Sequence, residues 1–355
     1  MELQNPTVGG VAEVREDRIR MRAALVSVVV SIALLAVKFT AYSMTGSTAV
    51  LSDALESIVN VFAAGGAAGA IRFASKPADR NHPYGHGKIE FVSAAFEGGL
   101  ITFAAVLLVY EAIQTILTGV DLRQLNLGIA VVLGAGIANA MLGLFLLRTG
   151  RRHRSPALVA DGHHMLSDFW TSLGVGLGLI AVQWTGIVLL DPLIAAAVAI
   201  RLAFTGVRLV RQAIGGLMDE EDPQIVKELV EVMDSEAEPG VIRVHSLRAI
   251  RSGGFHHVDA HLVVPEYWTI ELAHGLTESY ARSVISSSAF DGEIEFHTDP
   301  CRQIYCSGCR VVDCPVRVEP FVFRPPLTVE EAVKKDAPTR EAARQQWLRI
   351  RQTAS

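Results

Sequence analysis

An all-α membrane domain of six helices, followed by a small C-terminal α+β domain, is the fold class that this 355-residue sequence predicts. Three observations predict it. Long apolar stretches are confined between Ala23 and Ile214, the connections between them alternate in basic charge, and the hydrophobic pattern changes character after Asp219. Hydrophobic residues make up 50% of the chain and charged residues only 19%, against about 25% charged in a soluble globular protein.

The helices follow from length. A bilayer core takes about 20 mostly apolar residues as one helix. Six stretches meet that requirement: Ala23–Met44, Ala49–Phe73, Phe91–Leu117, Leu125–Leu147, Pro156–Trp184 and Pro192–Ile214. Ser155-Pro156 and Asp191-Pro192 predict helix starts, each a capping side chain followed by proline at the first helical position. Residues 1–22 form a polar N-terminal segment, and the first apolar run is too long for the h-region of a cleaved signal.

The connections orient the bundle. Basic residues stand in the N-terminal segment (Arg15, Arg18, Arg20, Arg22), in the second–third connection (Arg72, Lys76, Arg80, Lys88) and in the fourth–fifth (Arg148, Arg151, Arg152, Arg154). Arg208 and Arg211 end the sixth helix. Thr45–Thr48 and Thr185–Leu190 carry no basic residue, and Gly119–Gln124 carries only Arg123. The excess of Lys and Arg on cytoplasmic loops places both termini in the cytoplasm.

Beyond the membrane region, 23–218, a domain over 219–300 reads as α+β. Asp222-Pro223 opens an amphipathic helix to about Glu236. Val241–Arg251 and Phe255–Val264 read as strands joined by Ser252-Gly253-Gly254, a hairpin signal. Trp268–Ser286 is helical and Glu293–His297 is a third strand. A cysteine segment, 301–317, and a charged tail, 318–355, complete the chain.

Ionisable residues inside a span are costly and mark function. The fifth helix carries Asp161, His163, His164 and Asp168, and the spacing of four puts His164 and Asp168 on one face. The second helix carries Asp53, Glu56, Ser57 and Asn60 at spacings of three and four, which also makes one polar face. Turned together, the two faces form an oxygen–nitrogen cage suited to zinc or another first-row divalent ion. A polar helix–helix contact is the competing reading. In the second–third connection Asp79, His82 and His86 are candidate ligands beside glycines. His245, His261, His274, His297 and Asp299 are spread over the strands and the second helix of the C-terminal domain.

These motifs, in this order over residues 20 to 300, resemble the cation diffusion facilitators, a family of proton-coupled divalent-metal exporters. The resemblance implies a ferredoxin-like cytoplasmic domain and a homodimer. It implies a membrane site at Asp53, Ser57, His164 and Asp168, a loop site at Asp79, His82 and His86, and a two-metal cytoplasmic site at His245, His261, His274, His297 and Asp299. Seven of the eleven histidines fall on family ligand positions. One departure is Ser57, where the family has an acidic ligand. Neutral serine is a poor transition-metal ligand, so Asn60, two turns from Asp53 on the same face, is the preferred substitute. Glu56, or water, is the alternative. The expected activity is metal efflux with proton antiport. Zinc is the first choice of ion, with iron, manganese, cobalt, nickel and cadmium open, and a membrane-bound sensor or scaffold that binds ions without moving them is the alternative. The expected location is the inner membrane of a bacterial cell.

Cys301-x4-Cys306-x2-Cys309-x4-Cys314 lies outside the shared core of that family. Four thiolates so spaced suit zinc or an iron–sulfur cluster, with two disulfides as the competing reading. Lys38, Glu97 and Arg201 fall within spans and receive no role. The net charge of −5, with no basic run interleaved with aromatics, argues against nucleic acid. Nothing resembles a nucleophile–base pair or a phosphate-binding loop, so an enzyme is not expected.

Overall fold

The computed structural model describes residues 9–45, 48–118, 126–187 and 189–335. The chain divides after Glu220 into two compact units.

The first unit is a bundle of six long helices: α1 (Gly9–Thr45), α2 (Thr48–Ala74), α3 (Ile89–Thr118), α4 (Asn126–Arg152), α5 (Pro156–Thr185) and α6 (Leu190–Leu217). Among the described residues, five carry stretches long and apolar enough to cross a membrane: Glu16–Thr40, Ser57–Ala74, Ile89–Gln114, Leu133–Arg152 and Pro192–Leu217. The remaining helix, α5, has 30 residues and would reach about 45 Å. Asp161, His163, His164 and Asp168 stand along its first half. Large apolar side chains point outward along the bundle, among them Val29, Phe62, Phe96, Phe103 and Phe204. Such an apolar outer surface is what a lipid solvent requires.

Small residues let the helices approach closely. A Cβ at Gly206 of α6 would stand 2.7 Å from the Gly98 carbonyl and 2.4 Å from Thr102 Oγ1, both on α3. A Cβ at Gly162 of α5 would stand 2.9 Å from the Leu147 backbone nitrogen on α4. α5 is therefore pinned against α4 along its ligand-bearing half. Its start is fixed by Ser155, whose hydroxyl accepts from the Leu158 N–H at 3.4 Å and donates to the buried Glu90 of α3.

Several boundaries differ from those the hydrophobic runs predict. α1 begins at Gly9, not Ala23, and α4 continues through Arg152. An apolar run reports where lipid begins, whereas the helix continues as long as its residues favour it. The predicted cap at Asp191 is not formed. α6 begins at Leu190 after Leu189, with no side-chain cap, so Pro192 sits within the first turn, where its missing N–H costs nothing.

The second unit runs α7 (Pro223–Ser235), β1 (Arg243–Ser252), β2 (Phe255–Val264), α8 (Ile270–Ser287), β3 (Asp291–Pro300), a 3₁₀ turn (Gln303–Gly308) and α9 (Val329–Val333). Asp222 caps α7 by accepting from Gln224 N–H, and Thr269 caps α8 by accepting from Leu272 N–H. The sheet order is β1-β2-β3. Gly253-Gly254 turns β1 into β2, with Gly253 at φ +65°. β2 and β3 are parallel and need the α8 crossover. Among the described residues no strand precedes α7, so this is a ferredoxin-like sheet of three strands.

Alternation assigns the two faces of the sheet. Val258, Ala260 and Leu262 point into a core with Leu229 and Met233 of α7 and Tyr280 and Val284 of α8. The opposite face carries His257, His261, His297 and Asp299, set by the register His257↔Glu293 and His261↔His297. On β1 the alternation breaks at Ser246, which has φ +53° and donates its N–H to the Lys334 carbonyl. This bulge leaves Val244 and Leu247 in the core and turns His245 to the histidine face.

Candidate metal centres

In the helical unit, Asn60 of α2 joins both candidate ligands of α5. Its amide oxygen accepts from His164 Nε2 at 3.0 Å, and its amide nitrogen donates to Asp168 Oδ2. All three side chains are buried, as is Ser57 one turn earlier on α2. Asp53 and Glu56 lie in α2 with their side chains outside the described residues. Glu97 of α3 and Asp161, one turn before His164 on α5, are fully buried as well, and Arg201 places its guanidinium 4.3 Å from the centre of the Trp170 ring. Lys38 is buried as well.

Between α2 and α3, Asp79, His82 and His86 present one ligand atom each within 4.8 Å of one another. Asp79 Oδ1 accepts from the Asn81 and His82 N–H groups, both at 2.8 Å, which folds the loop around its carboxylate. These backbone donors, His82 first, hold the Asp79 carboxyl below its ordinary range. Gly85, at φ +78°, turns the chain so that His86 comes back over His82, with ring centroids 4.4 Å apart. His86 Nδ1 lies 3.4 Å from the Lys76 carbonyl, and only a protonated Nδ1 can donate there. Nε2 then faces Asp79 Oδ2 at 3.3 Å, a geometry that calls for a proton or a cation between them.

In the second unit, Asp299 is the hub. Its Oδ2 lies 2.9 Å from His261 Nδ1 and 3.3 Å from His245 Nε2, and its Oδ1 lies 3.5 Å from His297 Nε2. The His261 ring stands 5.0 Å from that of His245 and 4.8 Å from that of His297, centre to centre. His245, His261 and Asp299 form a second triad within 4.8 Å. His274 is not drawn in. It stands exposed on α8 and pairs with Glu278 one turn on, at 3.3 Å. The sequence reading passes over His257, which meets Glu293 at 2.7 Å on the same face as His261. Strand alternation, with His257 four residues before His261, is the signal that would have flagged it.

The four cysteines are free, and all of them line one small cavity beside the end of β3. Burial pushes the Cys301 thiol up from its ordinary range.

Comparison with known proteins gives two family matches. Residues 24–218 match the cation efflux transmembrane domain, and residues 221–301 match the cytoplasmic domain of cation efflux proteins. An uncharacterized transporter of Synechocystis is 35% identical over 277 residues, covering 78% of this chain and 89% of the relative. The cation-efflux pump FieF of Cronobacter sakazakii is 30% identical over 286 residues, covering 80% and 94%. The pump of the same name in Citrobacter koseri is 28% identical over 295 residues, covering 82% and 97%.

Proposed function

The chain belongs to the cation efflux, or cation diffusion facilitator, family of multi-pass membrane transporters, and from that premise we propose that it exports a divalent transition-metal ion, zinc first, in exchange for protons. The observation that carries this reading is the Asn60 bridge: an amide on one helix bonded to an imidazole and a carboxylate on another, all buried in the membrane unit. A helix contact needing only polarity would be met by one such bond.

In this reading Asp53, Asn60, His164 and Asp168 receive the ion, with Ser57 too weak a donor to take a full share. Metal binds to carboxylate and to neutral imidazole, so loading releases protons and reprotonation expels the ion. His164 is the natural proton carrier, because imidazole titrates near neutral pH. Asn60 holds His164 and Asp168 in register, and an arriving ion would replace its bonds. Transport then needs the site to open to either side in turn.

Asp79, His82 and His86 form a second site at the mouth of the membrane unit. His245, His261, His297 and Asp299 form a third, in the C-terminal domain, where bound metal offsets carboxylate charge and favours a homodimer. His274 belongs to that set by the family pattern alone. The basic connections favour both termini in the cytoplasm, and the bacterial relatives favour an inner-membrane location.

The test is zinc flux in sealed proteoliposomes under an imposed pH gradient, with iron, manganese, cobalt, nickel and cadmium run in parallel. Wild type should move zinc only while the gradient lasts, Asp168→Asn should not move it, and Ser57→Asp should bind it more tightly. Full flux in Asp168→Asn removes the assigned membrane site, and flux indifferent to the gradient removes the antiport.

A further inference from the structure

The family match to the C-terminal domain ends at Cys301, so three of the four cysteines lie beyond the matched residues. Residues 301–325 form a strap whose only regular element is the six-residue 3₁₀ turn. Within it Cys309 alone is buried, while Ile304, Val312, Val322 and Phe323 lie open. A stretch this long has no apolar core of its own, and chains in that position are held by cross-links or metal.

The strap is nevertheless tied down at defined points. The Cys301 N–H donates to the Val264 carbonyl at 2.8 Å, extending the sheet edge. The Ser307 carbonyl accepts from Val322 N–H at 2.8 Å and from Phe323 N–H at 3.2 Å, closing the strap on itself. Arg317 donates to the carbonyls of Cys306 and Cys309, both at 2.9 Å, and of Val311 at 2.5 Å. One guanidinium thus fixes the backbone on either side of two cysteines. Arg310 reaches the Ala237 carbonyl and fastens the strap to the domain.

What these ties enclose is a cavity of about 20 Å³ lined by Cys301, Cys306, Cys309 and Cys314. That volume has room for a single ion or water. Four thiolates around one divalent zinc carry two negative charges in all. Within the strap Arg302, Arg310, Arg317 and Arg324 against Asp313 and Glu319 leave the offsetting two positive charges. We propose that Cys301, Cys306, Cys309 and Cys314 hold one structural zinc ion as thiolates, and that this ion staples the 301–325 strap onto the C-terminal domain. It is a closed site with four protein ligands, distinct in chemistry from the imidazole–carboxylate centres.

The experiment uses the full-length protein in detergent, loaded with zinc and then treated with a mild chelator. X-ray absorption at the zinc edge should retain a sulfur shell at about 2.3 Å after the nitrogen and oxygen shell at about 2.0–2.1 Å is stripped. Cys309→Ser should lose one tightly held zinc per chain together with that shell. A thiol reagent should find no reactive cysteine in the zinc-loaded wild type and four after exhaustive chelation. Hydrogen exchange at Val322 and Phe323 should then rise sharply, while β2 and β3 change little. Zinc-loaded wild type without a sulfur shell, four thiols that react at once, two disulfides in the intact mass, or visible absorption with acid-labile sulfide would each overturn the proposal. The wild-type spectrum decides the matter even if Cys309→Ser fails to fold.

Discussion

Asn60 donates its side-chain amide to Asp168 and accepts from His164, so one residue of α2 holds two residues of α5 a helical turn apart. Removing it takes one hydrogen bond from each of two buried polar groups, about 0.5–3 kcal/mol apiece. Asn60→Leu, of similar volume, should therefore lower both stability and flux, the latter more than tenfold. Asn60→Asp replaces a neutral oxygen donor with a charged one and should retain zinc more tightly while still folding. Proteoliposome flux and zinc retention read the two outcomes, and an Asn60→Leu protein that transports normally would make the bridge a packing contact.

The bundle also predicts where size is tolerated. A side chain at Gly206 meets the Gly98 carbonyl and Thr102 of α3, whereas one at Gly99 meets nothing within 4 Å. Gly206→Val should drive α3 and α6 apart and yield aggregated protein on size-exclusion chromatography. Gly99→Ala should elute and transport as wild type does. Equal behaviour of the two variants would contradict the close approach of the helices.

Much of this fold is legible in the sequence because lipid imposes one rule, an apolar helix of sufficient length, and α1 to α6 each obey or nearly obey it. The pairing of Asn60 with α5 is legible for a similar reason, since residues three, four and seven apart share a face. Other features depend on contacts through space. The bulge at Ser246 exists because its N–H finds the Lys334 carbonyl, 88 positions later in the chain, and nothing local announces it. The Arg317 clamp on the cysteine carbonyls is hidden in the same way. The start of α1 is missed because a helix and an apolar run end by different rules, and the Asp191 cap because proline is equally at home two positions further in, still within the first turn.

Acid sensitivity of the C-terminal domain should trace in part to Glu236. Its carboxylate accepts from Ser283 at 2.5 Å and from Ser287 at 2.9 Å, which holds its pKa below the ordinary value. A folded-state pKa below the unfolded one contributes stability above the unfolded value, near 4.5. That stability is lost as pH falls through the depressed folded value. Hydrogen exchange of α8 amides in the full-length protein should accelerate across that window, and Glu236→Gln should flatten the response. An unchanged acid profile in Glu236→Gln would assign the sensitivity to other carboxylates.

Asp299 gathers three imidazoles from three strands, and the β2–β3 register sets its place opposite Val263 of β2. Because His261 and His245 share one of its oxygens, replacing that oxygen's charge should weaken both contacts at once. Asp299→Asn keeps the shape and removes the charge. In an Asp168→Asn background, which silences the membrane site, it should weaken zinc binding at least about tenfold, or 1.4 kcal/mol, by titration calorimetry. His274 is the contrasting case. Within its own chain the imidazole pairs with Glu278, on the exposed side of α8. His274→Ala should therefore leave zinc affinity of the isolated protomer within about twofold, well under 1 kcal/mol. If His274→Ala costs as much as Asp299→Asn, and only at concentrations where two copies associate, the imidazole reaches the centre from a second chain. An equal loss at every concentration would instead mean that α8 repacks on zinc binding and brings His274 to its own Asp299.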